Sequence, residues 1–355
     1  MRPLFAAIDF AALAHNLAVV RRLAPKASVL AVIKANAYGH GLLRVAAALS
    51  AAEGYALLEI DYAVRLREAG YRQRIVLLEG LFEASELAAV REHRLDVVVH
   101  RTDQVAMLDA LPAGAGVGVW LKVNTGMNRL GLSVDDTVAA RERLRRNPGV
   151  GPVTLMTHFA DADGASGVDW QMDQLRRLPG VEALPHCLAN SAAILRYPGT
   201  HAQWVRPGIM LYGCSPFPER TGDADGLRPA MTLESQVIAT RALSPGDTVG
   251  YGGLFRAEQA MRIGVVACGY ADGFPRHAPN GTPVNVAGRV TGTVGRVSMD
   301  ILCVDLTGLP EASVGSRVVL WGEGNPVERV AGPSGTVGYQ LLCALAPRVP
   351  VRERR

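Results

Sequence analysis

The chain has 355 residues and a formal net charge of +4, with 49% apolar and 20% charged residues. This composition can bury a large core and excludes intrinsic disorder, and the near balance of charge gives no indication of nucleic-acid binding. No stretch approaches the ~18 uninterrupted apolar residues of a membrane-spanning helix, and the first residues lack a secretory-signal pattern. With five cysteines and no CxxC pair, we expect a cytoplasmic protein with reduced thiols and no membrane partner.

From about residue 28, apolar runs of strand length alternate with amphipathic segments. The eight strand candidates are SVLAVIK (28–34), YALLE (55–59), RIVLLEG (74–80), LDVVVH (95–100), GVWLKV (118–123), VTLMTHF (153–159), PHCLAN (185–190) and QWVRPG (203–208). Near-continuous apolar strands are typical of a parallel sheet that is covered on both faces. Eight strand–helix units in about 200 residues favour a closed (β/α)8 TIM-type barrel over an open doubly wound sheet.

After about residue 227 the candidate helices nearly vanish and short alternating runs follow, separated by Gly, Pro, Asn and Asp. This pattern predicts a second, mostly β domain. We therefore expect an α/β protein with the barrel over residues 11–226 and the β domain over residues 227–355. The Pro- and Gly-rich segment 214–230 is a candidate linker, and residues 1–10 are expected to form a strand that packs with the C-terminal domain.

Reactive groups of barrel enzymes stand where the strands end. Six predicted strands end in polar side chains: Lys34, His100, Lys122 with Asn124, His158, Asn190 with Ser191, and Arg206 with Gly208. Two of the only three lysines are among them, whereas 34 of the 37 basic residues are arginines. Genomic GC bias by itself could produce this ratio, but an amine can also lose its proton and act as a nucleophile, which a guanidinium cannot.

Lys34 closes an apolar run, and two interpretations of it remain open. It could extend from a strand end to solvent, or it could stand in an apolar pocket that lowers its pKa and exposes the neutral amine needed for a Schiff base. Gly39 and Gly41 allow a tight turn after it, and Tyr38 could direct a hydroxyl at a ligand.

Barrels of this type commonly bind phosphate after strands seven and eight. Ser191 opens a helix candidate there and Gly208 permits a close backbone approach, although a helix-capping serine and a turn glycine are the ordinary alternatives. Together with Lys34, these residues point to a phosphorylated aldehyde, and pyridoxal 5'-phosphate fits. No His or Cys spacing indicates a metal site, and no Rossmann or Walker fingerprint is present.

Nine segments match one family in order: AVIKANAYGHG (31–41), LKVNTGMNRLG (121–131), MTHFADAD (156–163), LANSAAIL (188–195), RPGIMLYG (206–213), VGYGGLF (249–255), CGYADGFPR (268–276), GRVSMDILCVDLT (295–307) and GYQLLCALAPRVP (338–350). With these segments the sequence resembles the alanine racemase family, pyridoxal-phosphate enzymes with a barrel and a C-terminal β domain. The resemblance implies a homodimer that interconverts L- and D-alanine by a two-base mechanism, supplying D-alanine for peptidoglycan or consuming it.

The resemblance also implies roles for single residues. The catalytic pair would be Lys34 and Tyr251, with Tyr251 contributed by the partner subunit. The cofactor would be bound by Lys34, Tyr38, His158, Ser191, Arg206, Gly208, Ile209 and Tyr339. Arg129 and the backbone of Met299 would receive the substrate carboxylate, and Lys122 matches a lysine that is carbamylated in many members. Residues that line the channel to the site would be Tyr270, Arg276, Asp163 and Arg296.

The sequence departs from the family pattern at two positions. Asn124 stands where Asp is usual, which removes a negative charge near Lys122, and Gln340 stands where Glu is common.

Three alternative functions remain: a racemase of broader substrate range, a basic-amino-acid decarboxylase of the same architecture, and a non-enzymatic pyridoxal-phosphate carrier. The segments RPGIMLYG and GRVSMD disfavour the decarboxylase, and the second domain with Tyr251 disfavours the carrier.

Overall fold

The computed structural model describes residues 2–354, which form two compact units. The barrel unit comprises Leu17–Ala37 and Gly41–Gly208, and the β unit comprises residues 2–16, 38–40 and 209–354. No helix within residues 2–354 is long and apolar enough to cross a membrane.

The barrel unit contains a closed barrel of eight parallel strands, which confirms the predicted fold class. The strand β1 (Phe5–Asp9) belongs to the β unit, and the barrel strands follow it in chain order: β2 (Ser28–Val32), β3 (Gly54–Leu57), β4 (Arg74–Leu77), β5 (Asp96–Val99), β6 (Val117–Lys122), β7 (Val150–Met156), β8 (His186–Cys187) and β9 (Trp204–Val205). The pairing of β2 with β9 closes the ring, with Val29 beside Val205. The helix Phe10–Leu23 precedes the barrel strands. The helices between and after these strands are Leu42–Ala48, Ile60–Glu68, Leu87–Glu92, Thr102–Leu108, Val134–Arg146, Asp169–Arg176 and Ser191–Arg196.

Local sequence explains these elements well. All six residues of β6 are buried, as expected for a strand covered on both faces. The helix Val134–Arg146 begins after Ser133, whose hydroxyl accepts a hydrogen bond from the Asp136 amide at 3.1 Å. Two acidic residues in its first turn and three arginines in its last turn complement the helix dipole.

The last two barrel strands are shorter than predicted. Only two residues of each run, in β8 and β9, pair in a regular ladder. Beyond them the backbone still forms hydrogen bonds to the neighbouring strands: the Arg206 amide donates to the Ala189 carbonyl at 2.9 Å, and the Val32 amide donates to the Pro207 carbonyl at 2.9 Å. The polar residues at these ends therefore stand on backbone that is anchored but irregular.

The β unit is built mainly from strands, as the short alternating runs predicted. They are β10 (Met231–Leu243), β11 (Thr248–Val249), β12 (Phe255–Arg256), β13 (Met261–Val266), β14 (Pro283–Val286), β15 (Arg289–Val294), β16 (Leu302–Asp305), β17 (Arg317–Trp321) and β18 (Val351–Arg354). The main sheet has the order β13-β16-β15-β14-β17-β10-β1-β18, and β10 also pairs with β13, so that six strands close on themselves. Two short helices, Val327–Ala331 and Gly338–Cys343, complete the unit.

The first strand of the chain lies in this sheet. β1 pairs antiparallel with β10 and parallel with β18, and Ala6 stands beside both Leu233 and Val351. The two ends of the described chain therefore lie side by side in the β unit.

Candidate active site

Lys34 follows β2 by two residues and begins a left-handed turn. Residues 35–38 have φ angles between 51° and 54°, although none of them is glycine. This conformation costs roughly 1–2 kcal/mol per residue, so the surrounding structure has to hold it. The Gly41 amide donates to the Asn36 carbonyl at 2.9 Å, and the Asn36 side chain accepts from the Leu42 amide at 2.9 Å. The sequence indicated a tight turn here from its glycines, but not the four strained residues before them.

Four cations meet at this rim of the barrel. Lys122 ends β6 and is buried. Burial, followed by the positive charges of Arg206, Arg129 and Lys34, lowers the pKa of Lys122 to about 8, and the negative charge of Glu79 acts in the opposite direction. The sequence predicted that these strand ends would lie together, and the charge interactions show that they do. Such an excess of positive charge suits an anionic ligand.

Arg206 is buried and hydrogen-bonded to neutral groups. Its guanidinium donates to the carbonyl oxygens of Thr157 at 3.0 Å and Cys187 at 3.3 Å, to Sγ of Cys187 at 3.2 Å and to Nδ1 of His158 at 3.1 Å. Burial, and next the charge of Arg206, holds the pKa of His158 well below its usual value. The imidazole is therefore neutral in the folded protein.

His100, at the end of β5, was also indicated by the sequence. Its Nε2 lies 3.0 Å from the Glu79 carbonyl, while its buried Nδ1 has no hydrogen-bond partner within residues 2–354. Burial lowers the pKa of His100, so this histidine is a second neutral imidazole at the rim.

The loop that leads to Arg129 is closed by Asn124. Its Oδ1 accepts from the amides of Gly126 at 3.0 Å and Asn128 at 3.1 Å, and its Nδ2 donates to Oδ1 of Asn128 at 2.9 Å. A carboxylate could accept the first two hydrogen bonds but could not donate the third. The amide that departs from the family pattern is thus matched to Asn128. Arg129 itself is exposed.

Ser191 and Gly208 are in contact, beyond the ends of β8 and β9. The Gly208 amide donates to Oγ of Ser191 at 2.9 Å. The helix Ser191–Arg196 is capped instead by Asn190, whose side chain accepts from the Ala193 amide at 3.0 Å. Helix capping is therefore not the role of Ser191, which removes one of the ordinary alternatives.

A cluster of aromatic rings in the β unit includes Tyr38. Its ring stacks on that of Tyr212 with centroids 4.6 Å apart, and the Tyr339 ring lies 6.1 Å away. Tyr212 is fully buried, and burial raises its pKa well above the usual value. Sequence reasoning missed Tyr212, although it stands in the matched segment RPGIMLYG. Ile209, in the same segment, is also buried.

The remaining predicted residues are distributed between the units. Tyr251 lies on the turn Tyr251–Gly253 with 69% of its surface exposed. Tyr270 and Met299 stand on adjoining turns of the β unit, and the Arg276 guanidinium lies 6.0 Å from the Tyr270 ring centroid. Arg296 is partly exposed, and Asp163, in the barrel unit, is exposed.

Comparison with known proteins identifies the relatives of this chain. Residues 8–216 match the profile of the alanine racemase N-terminal domain, and residues 230–353 match that of the alanine racemase C-terminal domain. The chain belongs to the alanine racemase family. An alanine racemase of Nitrosospira multiformis is 57% identical over 351 residues, covering 98% of each chain. One from Paraburkholderia phytofirmans is 54% identical over 352 residues, covering 99% of each.

Solved structures of the family have the same fold. The biosynthetic alanine racemase of Pseudomonas aeruginosa superposes with a TM-score of 0.95 at 45% identity, and coverage is 100% of both chains. The alanine racemase of Acinetobacter baumannii gives a TM-score of 0.96 at 36% identity, again with complete coverage. The resemblance seen in the sequence is thereby confirmed, and neither the decarboxylase nor the carrier is favoured.

Proposed function

We propose that the protein is a pyridoxal-phosphate-dependent racemase that interconverts L- and D-alanine with two bases. One observation of the structure carries this proposal: a buried arginine, held by neutral acceptors, and Lys34 both act electrostatically on the buried Lys122 at the rim of the barrel. Family membership and 57% identity to an alanine racemase support it independently.

The residues present fit pyridoxal 5'-phosphate. The positive rim suits both a phosphate and a substrate carboxylate, and the contact of Ser191 with Gly208 offers a hydroxyl and close backbone. Lys34 would hold the aldehyde carbon covalently, and the phosphate would be bound by Tyr38, Ser191, Gly208, Ile209 and Tyr339. When bound, the cofactor supplies the electron sink that makes the Cα proton of an amino acid removable.

Arg206 has a distinct part in this scheme. A guanidinium can only donate hydrogen bonds, so Arg206 would donate to a pyridine nitrogen that stays unprotonated. This arrangement moderates the electron sink, and we infer that it limits side reactions such as transamination.

Racemisation requires one acid–base group on each face of Cα. Lys34 would serve one face. Tyr251 of the partner subunit would serve the other face and donate or accept the proton at its phenolic oxygen. The Nδ1 of His158 accepts from Arg206, so its proton stands on Nε2, where it can donate to a phenolate and stabilise that anion.

Other residues would orient the substrate. Arg129 would bind the alanine carboxylate through charge-assisted hydrogen bonds, together with the Met299 amide. Lys122, whose pKa is about 8, retains some neutral amine near pH 7 and would carry a carbamate that orders Arg129. Tyr270, Arg276, Asp163 and Arg296 would line the channel to the site.

The assembly and setting complete the proposal. The enzyme would work as a cytoplasmic homodimer with shared active sites, making D-alanine for peptidoglycan or consuming it. Its domains would be residues 11–226 and 227–355, with residues 1–10 joined to the second. Residues 1 and 355 lie outside the described part of the chain.

One incubation tests the reaction. The purified holoenzyme is mixed with L-alanine in deuterated water, and the products are analysed by chiral chromatography and mass spectrometry. D-alanine with deuterium at Cα is the expected product. Release of carbon dioxide would indicate a decarboxylase, and inertness with bound cofactor would indicate a carrier. A parallel panel with serine and basic amino acids separates a dedicated alanine racemase from one of broader range.

A further inference from the structure

A buried carboxylate in the β unit is held by two arginines from opposite ends of the chain. The Asp272 side chain is fully buried, and its two oxygens each accept a hydrogen bond from Arg2 at 2.6 Å. Arg348 donates to the same carboxylate through Nε at 2.7 Å, and the Gly269 amide donates at 2.9 Å. Burial by itself would raise the pKa of Asp272, but the hydrogen bonds from Arg2, Arg348 and Gly269 hold it below its usual value. The carboxylate is therefore charged at neutral pH.

The same two arginines also form hydrogen bonds to Asp300 in the turn 298–301. Nη2 of Arg348 donates to the Asp300 carboxylate at 2.6 Å, and Nη2 of Arg2 donates to the Asp300 carbonyl at 2.6 Å. Arg348 thus bridges two carboxylates, one buried and one exposed. The bidentate contact of Arg2 with Asp272 adds geometric constraint as well as energy.

This turn is fastened to the turn that carries Tyr270. The amides of Tyr270 and Ala271 donate to the carbonyls of Ser298 and Met299, each at 3.0 Å. A Cβ at Gly269 would lie 2.3 Å from both of those carbonyl oxygens, so only glycine fits the approach. The two turns are therefore joined directly, and each carries a carboxylate, Asp272 or Asp300, that pairs with Arg348.

Met299 lies in the turn 298–301, next to Asp300. Its carbonyl is used in the contact between the turns, whereas its amide N–H has no acceptor among residues 2–354, and 53% of the residue is exposed. We propose that Arg348 is a positioning residue for substrate binding, which holds the turn 298–301 through Asp272 and Asp300 so that the Met299 amide meets the substrate carboxylate. This inference rests on the proposed racemase function.

The β unit contains a matched network for comparison. The carboxylate of Glu234, of which 7% is exposed, pairs with Arg317 at 2.6 Å and with Arg354, and Arg354 also bridges to Glu323 at 3.2 Å. Both networks therefore hold a buried acid between two arginines, one of which reaches an exposed acid. Only the Asp272 network touches the turn that carries Met299. A purely structural role predicts the same behaviour for both.

The test compares R348M with R354M as holoenzymes, both shaped to keep the aliphatic stem. We expect R348M to raise the KM for L-alanine about tenfold while kcat changes less than about threefold, because a displaced amide weakens carboxylate binding. R354M should keep kcat and KM within about twofold of the wild type. It should lower the melting temperature by about as much as R348M does. Propionate, which has the carboxylate of alanine without its amine, should lose affinity in R348M in parallel with KM.

Two milder variants cover the case that R348M fails to fold. D300N removes the charge on the exposed acid but leaves Asp272 untouched, and it should raise KM about two- to threefold with little thermal change. R348K replaces the planar guanidinium with a single ammonium, and its KM for L-alanine should lie between those of the wild type and R348M.

The possible results separate the two proposals. An unchanged KM and propionate affinity in D300N and R348M, with thermal loss alone, would overturn the positioning role while the racemase function stands. A wild-type enzyme that does not racemise alanine would overturn the proposed function itself.

Discussion

Nη2 of Arg206 lies 3.1 Å from Nδ1 of His158, and this contact decides which ring nitrogen carries the proton. Because a guanidinium has no acceptor, Nδ1 must accept and the proton of the neutral imidazole stands on Nε2. The buried arginine therefore does two things: it adds to the burial that keeps His158 uncharged, and it directs the ring N–H away from itself. Both effects bear on the pH behaviour of the enzyme.

We expect His158 to weaken the folded state at acidic pH. Burial and Arg206 place its folded pKa well below the unfolded value, so only the unfolded chain takes up this proton as the pH falls through about 6.5. The penalty should reach about 1 kcal/mol near pH 5.5. Urea unfolding at pH 7.5 and 5.5 measures it, with His158→Gln as the comparison. An equal loss of stability in the wild type and the variant would show that other groups cause it.

Lys34→Ala should abolish racemisation and the visible absorbance of the bound cofactor. Lys34→Arg should not rescue either property, because a guanidinium does not give up a proton to attack an aldehyde. Lys26→Ala, at an exposed lysine of the same unit, is the control and should behave as the wild type. Near-normal racemisation by Lys34→Ala would remove the central assignment.

Arg129→Ala should raise the KM for alanine and lower kcat while leaving cofactor binding nearly intact. The lost interaction is a charge-assisted hydrogen bond to the substrate carboxylate, worth roughly 1.5–3 kcal/mol. Steady-state kinetics and cofactor titration measure the two effects separately. Lys122→Ala should give a milder form of the same defect if its carbamate orders Arg129. Unchanged kinetics in Arg129→Ala would place the carboxylate site elsewhere.

Carbamate on Lys122 should increase between pH 7 and 9. With a pKa of about 8, roughly a tenth of the amine is neutral at pH 7 and half at pH 8, and only the neutral form reacts with carbon dioxide. Carbon-13 NMR with labelled bicarbonate follows the modification directly. Lys122→Arg is the control and should lack the signal. Absence of the signal in the wild type at pH 9 would mean that Lys122 acts as a plain amine beside Asn124.

Tyr251→Phe should lose racemisation but keep cofactor and still exchange the α-proton of one enantiomer, because Lys34 serves that face alone. If the active sites are shared, mixing this variant with Lys34→Ala under reversible dissociation should restore activity. Random pairing of equal amounts makes about half of the dimers mixed, and each mixed dimer has one intact site.

Native mass spectrometry provides the control for that experiment. Heterodimers without recovered activity would show that Lys34 and Tyr251 act within one subunit. Recovered activity without detectable dimers would contradict the shared site just as directly.

Much of the fold and part of the site could be predicted from the sequence alone. Strand period, near-continuous apolar runs and their alternation with helical segments are local signals in the sequence. They predicted the barrel and the following β domain, and they placed Lys34, Lys122, His158 and Arg206 at strand ends. The strand ends of one barrel lie at the same rim. Residues far apart in the chain were therefore expected to lie close together in space. The nine family segments added roles that the pattern could not supply, and those roles stay predictions.

Other features were decided only by the tertiary structure. Apart from Asn36, residues 35–38 have no local preference for a left-handed turn, which exists because the surrounding contacts outweigh its cost. Arg2 and Asp272 are 270 positions apart, and neither carries a sequence signal for the other. Ion pairs and strained turns of this kind depend on which surfaces meet after folding. Periodicity in the sequence reports which side of an element is buried, but it does not report what that side will touch.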